Sequence, residues 1–350
     1  MALPYVTVEK TNTPPGTLDD VQFVQMTKGR VKVSDNLRSG TATVSGRKPE
    51  NLPSLLIGDT IQVTLTDPDT STSNDYFYRV ADFTINYGIV ASMDTWSLEL
   101  EDALAYLGRA NYTASWSSVL ASTQAALLTS DVGIALQVDT PSKSSISAQS
   151  VTNANALTVF QTMANTEQAL IQAGDNDINW FSRGWQSAIT YTTFADDGTG
   201  AKYDSIRFGS LADNYADEVV NNVVGGSSVT VGAGVFNYGF DSYSVDTPTA
   251  TDLANFVKGV FDVQDAQPQS LSTFLNPATT AAPLTALNVG EGLTIKFRGA
   301  TYKALVEGFI VTSDPSGTRI TYNLSSSDFY SFLTLDDAVL GRLDYNKLGF

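Results

Sequence analysis

Neither cysteine nor histidine occurs anywhere in the 350 residues. Without cysteine the chain has no disulfides, thiolate zinc sites, iron–sulfur clusters or thiol nucleophiles. Without imidazole it lacks the best proton carrier near neutral pH, the commonest metal ligand and any Ser-His-Asp triad. An enzyme built from this chain would have to work with carboxylates, Lys, Tyr or Ser. Charge is also scarce: Asp, Glu, Lys and Arg make up 16%, and 20 basic residues stand against 37 acidic ones for a net charge of −17. That balance repels duplex DNA and anionic membranes, which are bound through Lys and Arg. No stretch approaches 18 consecutive apolar residues, and Met1-Ala2-Leu3-Pro4-Tyr5 lacks the basic and apolar regions of a leader. This predicts a soluble chain made without a signal peptide or membrane anchor.

What the chain does have is β-forming material. Apolar residues reach 42%, aromatics 10%, and 26 Gly and 12 Pro punctuate short Val/Ile/Thr/Tyr runs. The composition points to a β-rich fold with few long helices, and the length to two or three domains. Strands are expected at residues 6–8, 23–26, 42–44, 61–65, 80–85 and 96–100. In Ile61-Gln62-Val63-Thr64-Leu65 the alternation puts Ile61, Val63 and Leu65 on one buried face. A short helix over 102–108 follows, with Asp102 as its cap and Gly108 at its end.

The last third repeats this plan. Val80, Phe83, Ile85, Trp96, Leu98, Asp102 and Leu107 correspond to Val306, Phe309, Val311, Tyr322, Leu324, Asp328 and Leu333, all at an offset of 226. Upstream, Ile57-Gly58-Asp59 matches Val289-Gly290-Glu291 at an offset of 232, the difference being absorbed by the loop around 67–75. Agreement in order, spacing and residue type favours an internal duplication. The intervening chain has a different character. A helix is expected around 117–128, another over 155–164 with Leu157, Phe160, Met163 and Ala164 on one face, and then a hairpin turning at 173–177. A further helix over 252–261 would turn Leu253, Phe256, Val257 and Val260 inward, and Pro268, Pro277 and Pro283 mark an extended return.

Few constellations suggest chemistry. In the acidic pairs Asp19-Asp20, Asp196-Asp197 and Asp336-Asp337, neighbours on an extended chain face opposite ways, which suits solvated turns better than paired-carboxylate catalysis. Asp67-Pro68-Asp69 and Asp175-Asn176-Asp177 have the alternate oxygens of a calcium loop without its terminal Glu. A turn is the expectation there, with calcium left open. The run 225–234 is glycine-rich but lacks the Lys of a phosphate loop, and suggests a hairpin tip. Lys28, Arg30 and Lys32 alternate along one strand, as a stripe meeting acidic neighbours in its own assembly would. Tyr76, Phe77 and Tyr78 offer either strand packing or a glycan platform. No catalytic, cofactor or metal residue is assigned.

Residues 39–107 resemble the first β-barrel of the baseplate hub, or tail-tip, proteins of tailed bacteriophages. The resemblance is carried by Ser39 to Arg47, Leu56-Ile57-Gly58-Asp59, Arg79 to Phe83 and Trp96 to Leu104. The ending, Leu335 to Phe350, is similar to that of many minor tail proteins of long-tailed phages, and Phe181-Ser182-Arg183 to that family's middle region. The resemblance implies a β-rich α+β protein with two related β-barrel domains flanking an α+β insertion: residues 1–110, 111–283 and 284–350. It implies a non-enzymatic virion protein without cofactors, in the phage tail tip. As a homotrimer its six barrels would match the hexameric tail tube to the three-fold tip around a DNA channel. The implied partners are the distal tail protein, the tape-measure protein and tip or receptor-binding proteins. Another tail component, distal tail or fibre-attachment, or a carbohydrate-binding β module, is the alternative.

Overall fold

A computed structural model of the chain describes residues 3, 5–32, 35–66, 73–139, 144–182, 191–209, 215–261, 267–275 and 288–326. The N-terminal segment forms β1 (Val6–Lys10), β2 (Gly16–Thr17), β3 (Val21–Gly29), β4 (Thr41–Arg47), β5 (Thr60–Thr66), β6 (Ser73–Asn86) and β7 (Thr95–Glu101). Helix α1 (Ala103–Arg109) closes it, capped by the Asp102 carboxylate as expected, although Gly108 lies inside the helix and Ala110 ends it. The middle holds β8 (Asn111–Trp116), β9 (Val119–Leu120), α2 (Ala121–Asp131), β10 (Ala135–Val138), β11 (Ser145–Ile146), β12 (Gln149–Asn155), α3 (Ala156–Glu167), β13 (Leu170–Ala173) and β14 (Asp177–Phe181). Then come β15 (Tyr191–Ala195), β16 (Ser205–Gly209), β17 (Glu218–Val223), β18 (Val229–Gly232), β19 (Asn237–Ser242), α4 (Thr247–Val260), β20 (Gln267–Leu275), β21 (Gly292–Phe297), β22 (Ala300–Asp314) and β23 (Gly317–Ser326).

Thirteen strands make one sheet in the order β16-β20-β23-β22-β3-β4-β7-β6-β5-β1-β2, with β21 joining β22 to β15. The fold is the expected β-rich α+β, but among the described residues the sheet does not close into a barrel. Two six-strand units share it edge to edge, and the short β2 extends the first beyond β1. Their equivalent positions run in the same chain order: β1, β3, β4, β5, β6, β7 in the first, and β15, β16, β20, β21, β22, β23 in the second. The outermost pairing differs, since β1 runs antiparallel to β5 whereas β15 runs parallel to β21. A three-stranded sheet of β17, β18 and β19, with α4, is inserted between β16 and β20.

The duplication extends to backbone detail. Gly58 and Gly290 both take left-handed φ values, 89° and 90°, which glycine adopts without strain. Gly58 N–H donates to the Val80 carbonyl and Val80 N–H to that of Asp59; Gly290, Val306 and Glu291 repeat both bonds. On the following strand a β-bulge leaves Ala81 unpaired in one unit and Glu307 in the other. These two residues differ by 226, as the sequence arithmetic requires. The gapless match fails one strand later. Phe83 faces Leu98, whereas Phe309 faces Tyr322, so β7 and β23 correspond at an offset of 224. The second hairpin is two residues shorter, and Leu98 matches Tyr322, not Leu324. The described chain ends at Ser326, so the Asp328 to Leu333 match and the closing run lie outside it.

One apolar core runs beneath both units, drawing Tyr78, Trp96 and Leu98 from the first and Val306, Phe309, Ile320 and Tyr322 from the second. The middle region has its own core, in which Phe160 on α3 meets Trp180 on β14 edge-on at 5.6 Å. The expected hairpin is β13 and β14, and the expected helices are α2, displaced toward the C-terminus, and α3. A third, smaller core beneath α4 holds Leu253 and Val257 as expected, with Phe256 partly buried.

Candidate functional site

The most distinctive surface of the fold is the joint between the two units, where β22 lies antiparallel to β3 from Gly308–Gly29 to Ser313–Val24. The approach is close enough to require glycine. A Cβ on Gly29 would stand 2.3 Å from the Glu307 carbonyl, and one on Gly308 would stand 2.5 Å from those of Lys28 and Arg30. Apolar contact completes it: Tyr76 of the first unit meets Phe309 of the second edge-on at 5.4 Å.

Two clusters of buried charge flank the joint, and one of them, Arg30 with Glu307, crosses it. Lys28, 6% exposed, donates to the Ala173 carbonyl at 2.7 Å, lies 3.5 Å from the Asp102 carboxylate and sits 4.1 Å above the Tyr78 ring. Asp102 accepts from the Gly40 N–H at 2.6 Å and from the Leu104 N–H at 3.1 Å. Burial pushes its carboxyl up to about 6, against the pull of Lys28 and the two N–H groups. Burial lowers the Lys28 ammonium in turn, opposed by Asp102. These contacts tie β3, the start of β4, α1 and the β13–β14 hairpin together. On the other side the bulge residue Glu307, 2% exposed, accepts from Arg30 Nε at 2.7 Å and from Ser325 Oγ at 2.5 Å.

The cavity between these clusters measures about 30 Å³ and is lined by Lys28, Arg30, Asp102, Ile171 and Glu307 among others. It has room for a water molecule, not a substrate. The basic stripe is thus met within its own chain: Lys28 by Asp102, Arg30 by Glu307, while the Lys32 N–H binds the Asp35 carboxylate. Glu307 carried a signal that sequence reasoning passed over, a lone charge inside Ala304-Leu305-Val306-Glu307-Gly308-Phe309.

The other candidates resolve into structure. Asp20 is ion-paired to Lys48 at 3.1 Å. Asp196 accepts from the Arg298 N–H and Asp197 from that of Thr199. Asp175 accepts from the Thr60 hydroxyl and Asn176 from Arg79, which docks the turn onto β5 and β6. Among the described residues no three acidic side chains converge on a possible metal position. Tyr76 and Tyr78 are buried, 5% and 0% exposed, so the aromatic run is strand packing and not a glycan platform. The glycine-rich run turns β17 into β18. Asp336-Asp337 and Asp67-Pro68-Asp69 lie outside the described residues.

The sequence matches no family model and no curated protein. The fold has clear relatives. A tail protein from Neisseria meningitidis MC58 superposes with a TM-score of 0.66 at 10% identity, over 93% of this chain and 97% of that one. The 43 kDa tail protein of prophage MuSo2 from Shewanella oneidensis gives 0.63 at 10% identity, over 93% and 98%. The E. coli c3393 protein gives 0.54 at 10%, over 96% and 80%. It is described as a component of the type VI secretion system with structural similarity to T4 bacteriophage tail proteins gp27 and gp5. Two joined sheet units, a buried ionic lock and an α+β middle region thus belong to a chain that has the fold of phage tail proteins, as the sequence resemblance anticipated.

Proposed function

We propose that this chain is a structural, non-enzymatic component of a bacteriophage tail, the tail-tip hub, which acts in the virion as a homotrimer. The observation that carries the reading is the duplication. Two units with the same strand order, the same left-handed glycine and the same bulge, held in one chain, let three chains present six similar faces. A protein between a six-fold tube and a three-fold tip needs that property. A distal tail or fibre-attachment protein built on a single unit would not need it.

Partners would be the distal tail protein above, the tape-measure protein within and tip or receptor-binding proteins below. With −17 per chain, three copies carry −51, and walls that repel phosphate suit a tube through which DNA slides. No described helix is long and apolar enough to cross a membrane.

Light scattering of the purified chain tests the reading. Three chains of 37.4 kDa should give a particle of about 112 kDa. A monomer that stays monomeric when mixed with a tail-tube or distal tail partner would overturn it. Imaging the ring tests the channel, and a basic bore would rule that role out.

A further inference from the structure

We propose that the open edge of β6 is covered by β16 of a second copy, which repeats between chains the joint that β22 and β3 make within one chain. The proposal rests on the ring reading above and adds which edges make the seam, and in what register. Under the duplication β6 is the counterpart of β22, and β16 the counterpart of β3. Residues 308–313 of β22 pair with β3. Of their counterparts, 82–87, residues 82–86 pair with β7 on one side and, among the described residues, with no strand on the other, and Tyr87 follows directly after the strand. Among the described residues β16 pairs only with β20 and ends the sheet. One chain therefore presents both halves of the joint, at edges separated by six strands.

The side chains tell the same story. Phe309 and Val311 are 1% and 0% exposed because the first unit covers them. Their counterparts keep apolar character but are less covered: Phe83 is 40% exposed, and Ile85 is half-buried at the margin of the core. Tyr87, the counterpart of buried Ser313, is 77% exposed. Across the internal joint Tyr76 covers Phe309. The residue of the second unit that matches Tyr76 is Tyr302, again at an offset of 226. Tyr302 lies half-buried beside the β16 edge, 5.1 Å from the ring of Phe208, and is placed to cover Phe83 of the next copy. Pairing two different edges of identical chains is heterologous and leaves no open edge only in a closed ring.

The internal joint sets the register. Ile310, Val311, Thr312 and Ser313 face Thr27, Met26, Gln25 and Val24. Val24 corresponds to Ile206, since their partners Val44 and Leu271 face the matched residues Leu98 and Tyr322. The seam between chains then sets Thr84 against Gly209, Ile85 against Phe208, Asn86 against Arg207 and Tyr87 against Ile206. It stops short of Asp82, which stands where Gly308 permits the close approach.

Asn86 and Arg207 are exposed, and the native chain has no thiol. Two variants, Asn86→Cys and Arg207→Cys, are made singly, co-expressed and oxidised. A disulfide between chains is expected in the mixture and in neither variant alone, because paired residues in antiparallel strands bring Cβ atoms within reach. Phe83→Asp should weaken trimer formation at least tenfold while leaving the circular dichroism of the chain unchanged. A trimer that forms without the cross-link and tolerates Phe83→Asp overturns the seam and leaves the hub reading standing. A chain that stays at 37.4 kDa at its solubility limit, without cross-link and with or without the tail partners, overturns both.

Discussion

Replacing Asp102 with Asn isolates a single buried charge. Asn is as good an N-cap as Asp, so the bond from Leu104 N–H to the cap survives and α1 keeps its start. What is lost is the negative charge opposite Lys28 and the oxygen that accepts from Gly40 N–H. Burial outweighs the pull of Lys28, so the folded state prefers the neutral carboxyl, and at neutral pH the loss of the Gly40 bond, about 0.5–1.5 kcal/mol, is more than offset by removal of the buried negative charge. The Asn variant should therefore exceed the native chain at pH 7 by about 1–2 kcal/mol, which raises a urea midpoint by about 0.5–1 M at a slope of about 2 kcal/mol/M. Adding Lys28→Met removes the stranded ammonium, so the double variant should be more stable than the sum of the singles by about 2 kcal/mol. The pH dependence gives a second readout. Because the Asp102 pKa is raised from 3.8 to about 6, the folded state binds the extra proton, and its stability is lost as pH rises through that window. The full loss is about 3 kcal/mol. The Asn variant should lack this fall. In it Lys28, lowered by burial and now unopposed, releases its proton more readily when folded, so stability should climb as pH rises toward 10.5. Urea unfolding from pH 4 to 10 measures all of this. An Asn variant less stable than the native chain at pH 7, or with the same fall between pH 4 and 6, would refute the argument.

Three further outcomes follow from the joint. Gly308→Ala should prevent soluble expression, because its Cβ meets two carbonyls at 2.5 Å, whereas Gly299→Ala, at a φ of 83° in open space, should cost only about 1 kcal/mol in thermal melts. Phe309→Ala should destabilise by about 3–5 kcal/mol and Phe83→Ala in the isolated chain by less than about 0.5 kcal/mol, measured by the same unfolding assay. The Tyr322 hydroxyl is buried without a hydrogen-bond partner among the described residues, so Tyr322→Phe should raise the melting temperature by removing an unmet polar group worth about 1–3 kcal/mol.

How much of this was legible in the sequence depends on the element. Gly58 and Gly290 showed through because a φ near 90° strongly favours glycine. The strands of the first unit showed through because one face of each is buried. The two-residue shortening of the second hairpin left no trace, since side chains alternate with a period of two and a shift of two keeps every residue on its own face. That is why Leu324 passed for the partner of Leu98. The strands β15, β16 and β20 were missed for other reasons. The inserted β17–β19 and α4 separate β16 from β20, and Pro268 disguises β20 as a linker while sitting where β16 slips register. The ionic lock was half visible, in a basic stripe whose acidic partners lie 74 and 277 residues away.

The bulge residues carry one more consequence. The bulge falls at the same place in both units, at Ala81 and Glu307, yet one copy holds a methyl group there and the other an ion pair with Arg30. A ring assembled as proposed would alternate two grades of seam, three riveted within chains by Arg30 and Glu307 and three between chains without that rivet. Under denaturant or mechanical load it would part at the unriveted seams and come apart as whole subunits, never as half-subunits.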